Sequence, residues 1–312
     1  MTRRLVEQLH QELGLSEAQI MRLIVRSPHT YKVYTIPKKT GGARVIAQPA
    51  KETKAIQHWL IDNIFNLLPI HASATAYQKG ASIKANAYAH ADSSYLSKFD
   101  FKDFFTSIKA SDLQKHLMRH LNGNYSPEDI LFISRVSCIL LKGASELCLS
   151  IGAPSSPLLS NSVMYDFDSQ LYSWCESKKI VYTRYADDLT FSSNEPGTAK
   201  DIEYALRNAI RQMSYPTLRI NNKKTIHLSK NSQRRVTGII INNEGQLSLG
   251  REKKRLISAL IHKFSTGNLE PNLHPKLQGL LGFALDVEPL FFSRMKNKYG
   301  ATVLDMIMRI RK

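Results

Sequence analysis

The stretch Tyr182-Thr183-Arg184-Tyr185-Ala186-Asp187-Asp188-Leu189-Thr190-Phe191-Ser192 decides how the chain is read. Apolar, aromatic and β-branched residues run up to two adjacent carboxylates and resume straight after them. That is the pattern of a strand, a tight turn and a second strand. One Asp in a turn is ordinary. Two in succession repel, and each raises the pKa of the other. A divalent cation removes that cost. Oxygen-only sites suit Mg²⁺, which keeps several waters and combines one or two carboxylates with substrate phosphates. Taken alone, the pair reads as a solvated polar turn.

Upstream, Tyr95-Leu96-Ser97-Lys98-Phe99-Asp100 reads as a strand ending in an acid, followed by Phe101-Lys102-Asp103-Phe104-Phe105. If Asp100 lies beside the hairpin of Asp187 and Asp188, three carboxylates meet at one sheet edge. Three carboxylates can hold two Mg²⁺ ions, the arrangement used for in-line phosphoryl displacement.

With these residues in view, the chain resembles the reverse transcriptases. Tyr185-Ala186-Asp187-Asp188 is similar to their catalytic box, Asp100 with Phe104-Phe105 to their first box, and Gly152-Ala153-Pro154-Ser155-Ser156-Pro157 to the segment between. Asn86-Ala87-Tyr88-Ala89-His90 and Val236-Thr237-Gly238 resemble signatures of the retron branch. The resemblance implies an α+β right-hand polymerase with fingers, palm and a small helical thumb. The expected boundaries are 1–94 for N-terminal helices and fingers, 95–240 for the palm with finger helices inserted around 111–142, and 241–312 for the primer-grip hairpin end and thumb. It also implies an RNA-directed DNA polymerase that copies part of a cognate structured noncoding RNA into branched single-stranded DNA. Two Mg²⁺ ions, deoxynucleoside triphosphates, that RNA and its DNA product, and an effector protein encoded nearby in antiphage defence are the implied cofactors and partners. The rival readings are a group II intron-like or diversity-generating reverse transcriptase, and a non-catalytic RNA-binding scaffold that controls a toxin.

The resemblance assigns roles residue by residue. Asp100, Asp187, Asp188 and the backbone carbonyl of Phe101 would hold metal. Lys224, in Asn221-Asn222-Lys223-Lys224-Thr225, would protonate the pyrophosphate, chemistry suited to a general acid near developing charge; a turn lysine bound to phosphate or to nothing reads equally well. Phe105 would lie under the sugar and exclude a 2′-hydroxyl, unless both it and Phe104 are core. Lys38, Lys39 and Arg44, near a hairpin turn at Gly41-Gly42, would contact the triphosphate; for the two lysines a solvated turn is an equal reading. Gly152 would sit at the nucleotide. The family's usual Gln before that glycine is Ile151 here, which puts nucleotide contacts at this loop in doubt. Asn86 and His90, four apart and on one face if helical, would position RNA or serve packing. Val236, Thr237 and Gly238 would grip the primer end, and Arg251, Lys253, Lys254 and Arg255 would track an RNA backbone.

Composition agrees with such partners. The 312 residues carry a net charge of +17, distributed as +6 over 1–94, −2 over 95–199, +6 over 200–250 and +7 over 251–312. An acidic centre flanked by basic segments fits a metal site between phosphate-gripping surfaces. No apolar run reaches 18 residues, so no membrane span is expected. Cys138, Cys148 and Cys175 lack metal-type spacing, and their odd number argues against a disulfide framework. The expected location is the cytoplasm.

Periodicity supplies the remaining elements. Leu5, Leu9 and Leu13 share one helical face, and Ser16 with Gln19 opens a second helix through a capping box that Pro28 ends. Helices are expected over 51–68, with Ile56, Trp59, Leu60, Ile64 and Leu67 inward, on either side of 122–127, from Pro157 to Trp174, over 198–213, and from Arg251 onward with breaks at 267–275 and 286–289. Residues 232–241 read as one strand, turning at Asn242-Asn243-Glu244-Gly245.

Overall fold

A computed structural model describes residues 4–37, 41–121 and 123–310. Lys38 and Lys39 lie outside the described residues. The chain opens with helices α1 (Arg4–Leu13) and α2 (Glu17–Arg26), the latter held by the Ser16/Gln19 capping box. The hairpin β1 (Tyr31–Pro37) and β2 (Ala43–Pro49) follows, paired antiparallel from Tyr31↔Pro49 to Pro37↔Ala43. Next come α3 (Lys51–Asn63), α4 (Ile83–Tyr88), β3 (Tyr95–Asp100), α5 (Phe104–Ser107), α6 (Ala110–His120) and α7 (Pro127–Ser137). The short strands β4 (Ile139–Leu140) and β5 (Leu147–Cys148) lead to α8 (Ser156–Val163) and α9 (Tyr165–Ser177). The expected hairpin is β6 (Val181–Tyr185) and β7 (Asp188–Ser193), followed by α10 (Thr198–Gln212). Then come β8 (Ile226–Leu228), β9 (Arg234–Val236), β10 (Ile239–Ile241) and β11 (Leu247–Ser248), and the helices α11 (Arg251–Ser265), α12 (His274–Val287), α13 (Pro289–Tyr299) and α14 (Ala301–Met308).

The described chain forms two compact units. One comprises 1–79, 98–189 and 199–225; the other comprises 80–97, 190–198 and 226–312. The main sheet runs β6-β7-β3-β8, and the acid-bearing ends of β3 and β7 belong to the first unit. In the second unit, one apolar core joins Val236, Ile239 and Ile241 of β9 and β10 to Ile257, Leu281, Phe291 and Leu304 of the C-terminal helices. Ala87 of α4 and Leu96 of β3 enter the same core. The C-terminal helices therefore share a core with residues that the expected boundaries at 94 and 240 place in other lobes.

Four local expectations change. The helix after Pro49 stops at Asn63, and Leu67 is 78% exposed rather than inward. The Pro157 helix breaks at Met164, whose ψ of 3° leaves the helical range, so α8 and α9 are separate. Residues 232–241 are two strands, because Thr237 and Gly238 take φ values of 46° and 84° and turn the chain between β9 and β10. Two successive positive φ values suit a tight hairpin turn, and Thr is a costly occupant for one of them. Gly300, with φ 92°, makes a further helix break between α13 and α14.

Candidate active site

The hairpin of β6 and β7 turns through Ala186 at φ 58°, which sets Asp187 at the tip and Asp188 at the start of β7. The Asp187 carbonyl accepts the Phe101 N–H at 3.0 Å, so the tip lies against the end of β3, where Asp100 is 4% exposed. The three carboxylates feel one another. Burial first, then the charges of Asp188 and Asp100, push the Asp187 carboxyl up to about 6. Burial also raises Asp188, against the pull of Lys98; the Asp100 charge adds to the rise, as does a hydrogen bond to Asp100 that only protonated Asp188 can donate.

Asp100 has its own partners. Lys224 Nζ donates to Oδ2 at 2.6 Å and Asn221 Nδ2 to Oδ1 at 3.2 Å, while the Asn221 N–H bonds the Asp100 carbonyl at 2.8 Å. Partial burial acts to lower the Lys224 pKa, but the Asp100 hydrogen bond and the three carboxylate charges outweigh it and raise it. Lys224 is thus a firmly protonated cation ion-paired to the first acid. Asn221 is the Asn of the Asn-x-x-Lys-Thr pattern that Asn221, Lys224 and Thr225 make in sequence, although no role is assigned to it there.

The donor set fits a hard divalent cation. It is all oxygen, partly buried and repulsive in its ionised form. Among the described residues no three His, Cys, Asp or Glu side chains converge as a ready-made cage. A cation that completes its shell with water and substrate phosphate needs no such cage.

The aromatic pair after Asp100 divides between core and cleft. Phe104 is buried and stacks on Phe101 with ring centroids 5.8 Å apart, whereas Phe105 is half-buried. Phe105 lines a cleft of about 400 Å³ with Gln48, Lys54, His58, Tyr77, Ile151, Gly152 and Pro157 among its walls. Gly152 is required sterically. At φ 114°, a Cβ there would lie 2.9 Å from the Ala47 carbonyl, because the Ile151 carbonyl accepts the Ala47 N–H at 2.8 Å and docks the loop on β2. Ile151 is 37% exposed at this cleft and offers no side-chain hydrogen bond. Arg44, on β2, is exposed.

Other expected residues lie in the second unit. Asn86 and His90 are 1% and 0% exposed, and His90 lies beyond the end of α4, its Nδ1 2.7 Å from Ser192 Oγ. Both side chains are enclosed by the fold and present no surface to RNA. Val236 is fully buried. Thr237 Oγ1 donates to the Ile83 carbonyl at 3.0 Å, and Lys253 Nζ donates to the Gly238 carbonyl at 3.1 Å, so the turn is clamped from two sides. The basic start of α11 is less free than its sequence suggests. Lys254 forms a 2.6 Å ion pair with the mostly buried Glu288, and Lys253 lies 4.8 Å over the Phe283 ring. Arg251 and Arg255 are exposed.

The chain matches the reverse transcriptase (RNA-dependent DNA polymerase) family over residues 36–241. It is 41% identical over 285 residues to the retron Ec83 reverse transcriptase of Escherichia coli, covering 89% of this chain and 90% of that protein. To the retron Ec73 reverse transcriptase of Escherichia coli it is 34% identical over 287 residues, with 88% and 89% covered. Among solved structures, apo telomerase from Candida tropicalis superposes with a TM-score of 0.51 at 12% identity, over 89% of this chain and 60% of that one.

Proposed function

The chain belongs to the retron reverse transcriptases and is an RNA-directed DNA polymerase; on that premise we propose that it copies part of one cognate structured noncoding RNA into branched, RNA-linked single-stranded DNA. The family works with a divalent metal; two Mg²⁺ ions, deoxynucleoside triphosphates and an antiphage effector encoded nearby complete the proposal. The observation that supports it most is the group of three mutually repelling carboxylates, Asp100, Asp187 and Asp188, around one strand end.

In this reading Asp100, Asp187, Asp188 and the Phe101 carbonyl hold the metal. A divalent ion held by these residues would supply Lewis acidity toward the attacking hydroxyl and positive charge beside the phosphates. Lys224 keeps a proton at Nζ beside Asp100 and is placed to deliver it to the leaving pyrophosphate. Phe105 closes the space under the sugar, so a 2′-hydroxyl has no room. Arg44, with Lys38 and Lys39, grips the triphosphate. Gly152 lets the loop approach β2 and shape the cleft. Thr237 and Gly238 form the turn that holds the primer end, with Val236 as its buried anchor. Asn86 and His90 support the segment from inside, and their effect on RNA is indirect. Arg251 and Arg255 contact RNA phosphates, whereas Lys253 and Lys254 hold α11 in place. The lobes are fingers, palm and thumb, as the sequence expects.

Extension of the cognate RNA with Mg²⁺ and deoxynucleotides tests the reading. A labelled DNA product that stays joined to RNA is expected. An RNA-bound protein that makes no DNA under any divalent metal would favour the scaffold reading instead.

A further inference from the structure

We propose that Tyr77 is a positioning residue that sets the ring of Phe105 and thereby the choice of sugar. The proposal rests on the reading of Phe105 as the group that excludes a 2′-hydroxyl. It begins with a backbone anomaly. Tyr77 has φ 62°, a left-handed conformation in which a Cβ is disfavoured. Gly80, three residues on, shows the ordinary solution at φ 79°. A bulky aromatic persists in this region only where its surroundings over-determine it.

They do so here through a buried network. Segment 73–75 runs alongside β6, with the Arg184 N–H bonded to the Ser73 carbonyl at 2.7 Å and the Thr75 N–H to the Arg184 carbonyl at 2.8 Å. Asn161 Nδ2 holds the Ala76 carbonyl at 2.8 Å, and Asn161 Oδ1 in turn accepts Arg184 Nη1 at 3.1 Å. Gln78 Nε2 reaches back to the Ala74 carbonyl at 2.7 Å. Both sides of Tyr77 are therefore fastened.

The Tyr77 ring is not part of that core. It is 48% exposed and lines the cleft. Its centroid lies 6.4 Å from Phe105 and 6.5 Å from Tyr185. One ring thus touches the residue five after Asp100 and the residue two before Asp187. On another side Phe105 meets buried Phe104 edge-on at 5.5 Å. Removing the Tyr77 ring would leave Phe104 as the aromatic contact of Phe105 among the described residues and open space on the cleft side into which its ring could turn. A group that excludes one oxygen atom by contact must be held to a fraction of an ångström. Among the described residues the Tyr77 hydroxyl makes no hydrogen bond, so the support comes from the ring.

The test compares ribo- with deoxynucleotide incorporation on one primer–template for Tyr77→Gly, Tyr77→Phe and Phe105→Ala. Glycine takes the positive φ freely, so Tyr77→Gly deletes the ring without adding strain. Tyr77→Gly should shift the ratio about tenfold toward ribonucleotides, in the direction of Phe105→Ala, while Tyr77→Phe stays near the parent. The ratio matters because a general loss of stability lowers both incorporations together. If Phe105→Ala changes the ratio and Tyr77→Gly does not, the positioning role is wrong and the Phe105 reading stands. The role of Tyr77 would also be overturned if Tyr77→Phe shifted the ratio as far as Tyr77→Gly. If Phe105→Ala leaves the ratio unchanged, the Phe105 reading fails, and the inference fails with it.

Discussion

Two clusters of charge sit on the hairpin of β6 and β7, three residues apart, and they are built in opposite ways. Arg184 on β6 and Asp168 on α9 are both 0% exposed and joined by a 2.5 Å ion pair. Arg184 Nε adds a bond to Asp168 Oδ1 at 2.9 Å, and the Tyr182 hydroxyl donates to the same oxygen at 2.7 Å. Arg184 Nη1 takes Asn161 Oδ1 and the Ala186 carbonyl. Past the turn, Asp187, Asp188 and Asp100 are the same sign, and the cation bonded to them is Lys224, on Asp100. The first cluster is complete without a ligand. The second sets three carboxylates against one ion-paired lysine and stays costly until further positive charge arrives. Burial is common to both, so burial alone does not mark a site; uncompensated like charge does.

The largest effect should come from removing one acid of the incomplete cluster. Asp187→Asn or Asp188→Asn keeps shape and deletes charge. DNA synthesis should fall by several orders of magnitude, while RNA binding and folding persist. Primer extension reads the first and thermal unfolding the second; near-normal synthesis by either variant ends the catalytic assignment.

The complementary change strips one partner from the complete cluster. Arg184→Met leaves Asp168 buried without its cation, and breaking a buried pair costs about 3–5 kcal/mol. Urea unfolding should show that loss in the midpoint. Turnover per folded molecule should fall far less than in the Asp187 variant, and an equal fall would erase the distinction between scaffold and site.

A third measurement uses pH. Asp187 titrates near 6 in the folded protein, above the 3.8 of an unperturbed carboxyl. A raised acid binds more protons when folded than unfolded between those values, so metal-free stability should rise as pH falls from above 6 toward 4. Metal affinity should move the other way and weaken as pH drops through about 6, because the proton must leave first. Calorimetric Mg²⁺ titrations at pH 5.5 and 7.5 check this. Asp187→Asn should flatten both trends.

The smallest effect extends the contrast to α11. Lys254 is paired with Glu288, while Arg251 and Arg255 are exposed. Arg251→Ala with Arg255→Ala should weaken binding of the cognate RNA and flatten its log-log salt slope by about 0.7–0.9 for each phosphate left without its arginine. Extension of an unrelated annealed primer–template should stay close to the parent. Lys254→Ala should instead lower the melting temperature and leave the salt slope unchanged.

Much of this protein is determined by the sequence alone. The alternation around Asp187-Asp188 specifies the hairpin, because strand period and turn chemistry are local properties. The capping box at Ser16 and the breaks near Gly267 and Pro289 are local for the same reason, and all three are present. Family membership also follows from short motifs in order along the chain. The tertiary structure alone decides which polar groups are spent. Asn86, His90 and Lys254 look like binding residues in sequence, yet the fold buries the first two, His90 against Ser192, and pairs the third with Glu288. The turn at Thr237 escapes a local reading because a β-branched residue rarely takes positive φ, and its hold on the Ile83 carbonyl spans 154 positions. Tyr77 gives no signal in sequence. Its place beside Phe105 depends on Asn161 and Arg184, which lie far along the chain and meet only when the fold closes. Local propensity acts over a few residues, whereas burial and charge pairing depend on what the whole chain brings together.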